Sequence, residues 1–123
     1  MTNTMTKHTN IAVIGAGLMG HSIAQIFLAG GYKVNLFDSD LVIEAGPEKL
    51  AVKRDIFSQL CAYTRSTTIL ATNTSAIPIG DIASGLAHPE RIVGTHFWNP
   101  PHLVRLVEVV QAQSTSEQVI ATV

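Results

Sequence analysis

A short apolar run, Asn10-Ile-Ala-Val-Ile14, leads directly into three glycines spaced G-x-G-x-x-G at Gly15, Gly17 and Gly20. Apolar residues then resume at helical period with Ile23, Ala24, Phe27 and Leu28. That order predicts a buried strand, a tight turn and a helix over about 18–29 that stops at Gly30-Gly31. Gly15 makes the turn, Gly17 lets backbone N–H groups approach a pyrophosphate, and Gly20 lets the helix pack closely on the strand. The start of such a helix turns unpaired N–H groups and the positive end of its dipole toward the phosphates. Glycines also cluster in ordinary turns, so the context decides. A second strand, Lys33-Val-Asn-Leu-Phe37, ends in Asp38, placed where a carboxylate accepts hydrogen bonds from the adenosine ribose. No arginine follows Asp38 closely, which favours NAD over NADP, because a 2′-phosphate would meet a carboxylate. The expected cofactor loop is Gly15, Ala16, Gly17, Leu18, Met19 and Gly20, with Asp38.

A chain of 123 residues suits one domain, here 10–123, large enough to bury a core but small for a complete dinucleotide-dependent enzyme. Its 46% apolar and 14% charged residues suit a buried parallel sheet, and a net charge of −1 argues against a nucleic-acid partner. No run is long enough to cross a membrane. Cys61 stands alone, so a disulfide frame is not expected and a reducing, cytoplasmic setting is. Residues 1–9 are polar and read as a disordered leader rather than a targeting peptide.

Beyond Asp38, Leu41-Val-Ile-Glu-Ala45 reads as a strand. Pro47 and Glu48 read as the first turn of a helix whose inner face is Leu50, Ile56, Phe57, Leu60 and Cys61. Thr68–Thr72 is a further strand, followed by the polar turn Asn73-Thr-Ser75 and a short helix around Ile79–Ala83 closed by Gly85. Residues 92–97 form the next strand, broken at Asn99-Pro100-Pro101, and Leu103–Val110 the last. Ser114-Thr-Ser-Glu117 has the pattern of a capping box. The expected fold class is α/β: a Rossmann-type doubly wound, mainly parallel sheet.

Four pieces, Gly15-Ala-Gly-Leu-Met-Gly20, Asp40-Leu-Val-Ile-Glu-Ala45, Thr72-Asn-Thr-Ser75 and Gly94-Thr-His-Phe-Trp-Asn-Pro100 with Leu106-Val-Glu-Val109, together closely resemble the 3-hydroxyacyl-CoA dehydrogenase family in its nucleotide-binding domain. The resemblance implies NAD-dependent oxidation of a 3-hydroxyacyl thioester to the 3-oxo form, with relatives that act on non-thioester substrates. It implies that His96 is the catalytic base, that Glu108 pairs with it, that Ser75 and Asn99 lie near the substrate oxygen and nicotinamide, and that Glu48 and Lys53 line the cofactor site. The residues are compatible with those roles. His96 falls at the C-terminal end of a strand, where open α/β sheets put their ligands, and a neutral imidazole there takes a hydroxyl proton. Each also has a plainer reading: a hydrogen-bonded structural histidine, an exposed strand carboxylate at Glu108, turn residues at Ser75 and Asn99, a helix N-terminal acid at Glu48 and a solvated lysine at Lys53. His96 and His102 have no third ligand at metal spacing, so no metal centre is expected.

The sequence departs from the family in two places. The family carries several dozen residues between the ribose-binding acid and the Asp-Leu-Val-Ile-Glu-Ala strand, including a helical hairpin that helps hold coenzyme A, where this chain has Asp38-Ser39-Asp40. The C-terminal helical domain that closes the acyl site and supplies most of the homodimer interface is also lacking. Gly46 stands where many relatives carry valine. From Asp38 at the end of strand two, the return to Leu41 requires about 17 Å along the strand and 10 Å across the sheet, against about 10–11 Å of chain. The family topology is therefore not expected to close, and omitted residues are the favoured explanation over a moved strand or a swapped one.

Overall fold

Residues 10–14, 33–34, 39–104 and 106–123 are described by the computed structural model. The leader 1–9, the glycine turn with Gly15, Ala16, Gly17, Leu18, Met19 and Gly20, the expected helix after it, and Asp38 lie outside the described residues.

Strand β1 (Asn10–Ile14) pairs in parallel with β2 (Lys33–Val34) on one side and with β3 (Leu41–Glu44) on the other. The sheet continues through β4 (Ile69–Thr72) and β5 (Ile92–Phe97), both parallel, to the antiparallel edge strand β6 (Val107–Val110), in the order β2-β1-β3-β4-β5-β6. Helix α1 (Leu50–Tyr63) links β3 to β4, α2 (Ile79–Ala83) follows β4, and α3 (Glu117–Thr122) follows β6. Parallel neighbours need such crossovers, and the alternating pattern read from the sequence supplies them.

Side chains alternate across the sheet. Ile11, Leu41, Ile43, Ile69, Ala71, Val93 and Phe97 build one face with Val119 of α3. Ala12, Val42, Leu70 and Ile92 build the other, against Phe57 of α1 and Ile79, Ile82 and Ala83 of α2. Glu44 and Thr72 follow the same alternation as Val42 and Leu70, so they turn toward α1 at the C-terminal ends of their strands. Arg91, buried before β5, donates from Nη1 to Thr64 Oγ1 (3.1 Å) and to the Arg65 carbonyl, tying the end of α1 to the sheet.

Several boundaries differ from the sequence reading, each for a local reason. Helix α1 begins at Leu50, with Lys49 as an N-cap that makes no side-chain cap. Pro47 and Glu48 therefore precede the helix, and the Glu48 carboxylate is engaged by the Thr74–Ser75 turn. Leu50 is exposed and the inner-face position one turn before Phe57 belongs to Lys53. The last strand shortens to Val107–Val110, because the chain turns at Pro100, whose carbonyl accepts from Leu103 N and Val104 N. The cap of α3 is Ser116, two residues after the expected one: its Oγ accepts from Val119 N at 3.2 Å. Thr115 is turned inward, donating to the Ile92 carbonyl at 2.7 Å.

Phe37 and Asp38, from which the expected seam is reckoned, lie outside the described residues. Val34 and Leu41 both pair with Ile11, from opposite sides of β1. The chain between those two residues must therefore cross about 10 Å, whereas a stretch of that length reaches about 23–25 Å. Entry to β3 is well held. Asp40 N donates to the Asn10 carbonyl (2.7 Å), Asn10 N to Asp40 Oδ2 (3.0 Å), and Thr68 Oγ1 to the Ser39 carbonyl (3.0 Å). Arg65 Nη2 adds an ion pair to Asp40 Oδ1 at 2.9 Å.

Candidate functional site

The C-terminal ends of β3 and β4 are held to α1 by a buried ion pair. Glu44, at the end of β3, is wholly buried and faces α1, where Lys53 is equally buried. Lys53 Nζ donates to Glu44 Oε2 (2.8 Å), Glu44 Oε1 (3.1 Å) and the Gly46 carbonyl (3.3 Å). The Thr72 hydroxyl (2.6 Å) and Gly46 N–H (2.7 Å) donate to the same carboxylate. A buried charge is tolerated when paired and fully hydrogen-bonded, and this pair meets that condition. Gly46 leaves the carboxylate its space: a Cβ there would stand 3.1 Å from Glu44 Oε2. Lys53 is thus not a solvated lysine, and Glu44, which the sequence reading treated as a strand residue, is its partner. An acid at the end of an otherwise apolar strand was the available signal.

Glu48 extends this network outward. Its Oε1 lies 3.7 Å from Lys53 Nζ and accepts from Thr74 Oγ1 (2.7 Å), while Oε2 accepts from Ser75 N (3.0 Å) and Ser75 Oγ (3.2 Å). Burial alone would push this carboxyl up, but the Thr74 hydroxyl, the Ser75 N–H, the Lys53 ammonium and the Ser75 hydroxyl outweigh it and hold Glu48 below the ordinary glutamate value. Asn73 adds a stitch the sequence reading missed. Its N–H donates to the Glu44 carbonyl (2.8 Å) and its Oδ1 accepts from Phe97 N (2.8 Å), joining β3 to β5 beside His96.

His96 lies half-buried on β5, directly opposite Glu108 of β6 in the antiparallel register, so both side chains leave the same face. Glu108 does not bond the histidine. Its Oε1 accepts from Trp98 Nε1 at 2.9 Å, and the Trp98 ring lies 5.6 Å from the His96 ring at 53°. A cleft of about 430 Å³ gathers Glu48, Ser75, His96 and Asn99, with Asn73, Phe97 and Trp98 among its other walls. A second cavity of about 360 Å³, lined by Asp40, Thr67, Arg91 and Ser116 among others, lies at the opposite edge of the sheet and contains none of the candidate catalytic or cofactor-binding residues. Ligands of open α/β sheets occupy the C-terminal edge, beside the point where strand order reverses. Here β1, flanked by β2 and β3, marks that point, and Ala45 N bonds the Ile14 carbonyl (2.8 Å) where the glycine turn begins. The expected cofactor loop and Asp38 are outside the described residues. No described helix is long and apolar enough to cross a membrane.

Sheet order, the reversal at β1 and a cleft at the strand ends define a doubly wound, dinucleotide-binding α/β domain. The sequence model of the family described as 3-hydroxyacyl-CoA dehydrogenase, NAD binding domain, matches residues 10–40 and 35–123, and the chain belongs to that family. It is 44% identical over 89 residues to a 3-hydroxybutyryl-CoA dehydrogenase of Clostridioides difficile, covering 72% of this chain and 32% of the relative. It is 32% identical over 165 aligned positions to a 3-hydroxyadipyl-CoA dehydrogenase of Escherichia coli (strain K12), covering 94% of this chain and 35% of that one. The crystal structure of 3-hydroxybutyryl-CoA dehydrogenase from Escherichia coli K12 superposes with a TM-score of 0.88 at 31% identity, over 92% of this chain and 34% of the other. The chain spans about a third of the length of these relatives. The family matches overlap at residues 35–40, and 165 positions exceed the length of this chain, so several dozen positions of the 3-hydroxyadipyl-CoA relative face nothing here.

Proposed function

We propose that this chain is the NAD-binding and catalytic-histidine portion of a dehydrogenase that oxidises a 3-hydroxyacyl-CoA to the 3-oxoacyl-CoA. The observation that supports it best is the single cleft shared by Glu48, Ser75, His96 and Asn99 at the C-terminal edge of the sheet. The backbone of Gly15, Ala16, Gly17, Leu18, Met19 and Gly20 would hold the pyrophosphate and Asp38 the ribose. Bound NAD supplies the hydride acceptor. His96, as a neutral imidazole, takes the hydroxyl proton from the carbon that loses hydride. Glu108, its cross-strand neighbour, stabilises the imidazolium that results. Ser75 and Asn99 face the substrate oxygen and the nicotinamide. Lys53 and Glu48 fix the Ser75 turn against α1. The protein acts in the cytoplasm, and a full-length relative is a homodimer.

A second reading, a dinucleotide-binding module without turnover, draws on the shortened seam at Asp38-Ser39-Asp40, which in the family leads to the hairpin that helps hold coenzyme A. NADH fluorescence on titration tests the part common to both readings; a chain that leaves NADH unchanged sinks both. Loss of NADH absorbance that depends on acetoacetyl-CoA, present in this chain and absent in His96→Gln, supports turnover. Equal rates in the two proteins would remove His96 as the base, and binding with no rate at all would leave the module.

A further inference from the structure

His96 and Glu108 stand opposite each other across the β5–β6 pair, close enough for a carboxylate and an imidazole to meet. The carboxylate is nonetheless engaged elsewhere. Trp98, two residues along from His96 and therefore on its side of the sheet, reaches diagonally to Glu108 and donates its indole N–H to Oε1 at 2.9 Å. The same ring lies 5.6 Å from the imidazole. Among the described residues, no hydrogen bond to the His96 ring takes its place. The carboxylate that lines the cleft beside His96 is Glu48, which is held by Thr74, Ser75 and Lys53. Glu108 is thus the carboxylate whose position is open to choice between two partners.

We propose that Trp98 is a positioning residue for the His96–Glu108 pair: its indole N–H holds the Glu108 carboxylate and so limits how far that charge stabilises protonated His96. Phenylalanine or methionine at this position offers a similar apolar surface but no donor, so the effect belongs to the indole N–H and not to bulk. A carboxylate tied to an indole donor is held back from a neighbouring imidazolium, whereas a released one is free to pair with it. The basicity of the histidine is then set by a residue that need not touch substrate.

The proposal rests on His96 and Glu108 acting as the acid–base pair, but its test needs neither NAD nor turnover, so a chain without activity leaves it open to refutation. Histidine titrations are followed by NMR in the full chain, with His96 assigned by its loss in His96→Gln. In Trp98→Phe the His96 midpoint should rise by roughly half a pH unit or more, as for an approaching opposite charge. In Glu108→Gln, the added Trp98→Phe change should produce no such rise. An unchanged or lower midpoint in Trp98→Phe, or the same rise with Glu108 replaced, would overturn the proposal. Should Trp98→Phe fail to fold, the Glu108→Gln protein decides. Trp98 is the single tryptophan of the chain, so its emission maximum reports this contact directly. A shifted maximum in Glu108→Gln supports the bond; identical emission refutes it.

Discussion

Lys53 occupies a core position of α1 that an apolar residue would normally take, and it is stable there only because Glu44, Gly46 and Thr72 complete the hydrogen bonding around the pair. Breaking a buried pair leaves one charge without compensation, at a cost of about 3–5 kcal/mol, whereas replacing both partners costs much less. Lys53→Met should therefore lower stability by about 3 kcal/mol or more, and adding Glu44→Gln should recover part of the loss; urea unfolding of the three proteins measures it. Additive losses would show that the pair is not coupled. Glu48 is different, because its side chain is 42% exposed. Its carboxyl is held below the ordinary value, so its contribution to stability is present above the unfolded glutamate pKa of about 4.3 and is lost as pH falls through the lower folded value. Exposure makes that contribution modest. The advantage of the wild type over Glu48→Gln in urea midpoint should be constant above about pH 5 and disappear toward pH 3. An advantage that grew on acidification would contradict the assignment.

At the scale of elements, the cleft depends on how closely α2 and β6 approach β5. Gly94 is the contact point: a Cβ there would lie 2.8 Å from Ile79 Cδ1 and 3.0 Å from Val110 Cβ. The isoleucine tip can turn aside, but the valine Cβ is fixed by the strand. Gly94→Ala should cost about 1–3 kcal/mol as overpacking. Gly80, within α2, has nothing within 4 Å of the same position, so Gly80→Ala should be neutral or gain roughly 0.5–1 kcal/mol of helix propensity. Thermal melts of the two variants compare the effects directly, and equal melting temperatures would mean that β5 and β6 move apart freely. The edge strand itself was only half legible. Val107, Val109 and Val110 marked it as a strand, but Leu103 and Val104 belong to a proline-led turn whose backbone bonds end at Pro100.

For the whole molecule, the decisive feature is the short connection from β2 to β3. Val34 and Leu41 both meet β1 at Ile11, and the parallel order is intact. The 3-hydroxyadipyl-CoA relative carries several dozen positions that face nothing here, and the family resemblance implies that they include a hairpin that helps hold coenzyme A. Positioning is worth roughly 7–11 kcal/mol of a barrier, and an open site also admits water. Turnover of acetoacetyl-CoA by this chain should accordingly fall orders of magnitude below an ordinary enzyme rate of about 10 s⁻¹, while NADH binding persists. A rate in that ordinary range, read from NADH absorbance, would show that the hairpin is dispensable.

Local pattern alone determined the alternation of strands and helices, the parallel sheet and the strand-end placement of Ser75, His96 and Asn99, because strand alternation, helix period and turn residues act over a few neighbours. Tertiary structure decided the rest. That Lys53 is buried, that Glu44 is its partner and that Asn73 joins β3 to β5 depend on residues far apart in the chain meeting at one sheet edge. So does the choice of Trp98 over His96 as the donor to Glu108. The level at which Val34 and Leu41 meet β1 belongs to the same class, because hydrophobic pattern marks where a strand lies in the chain but not how far it is slid along its neighbour.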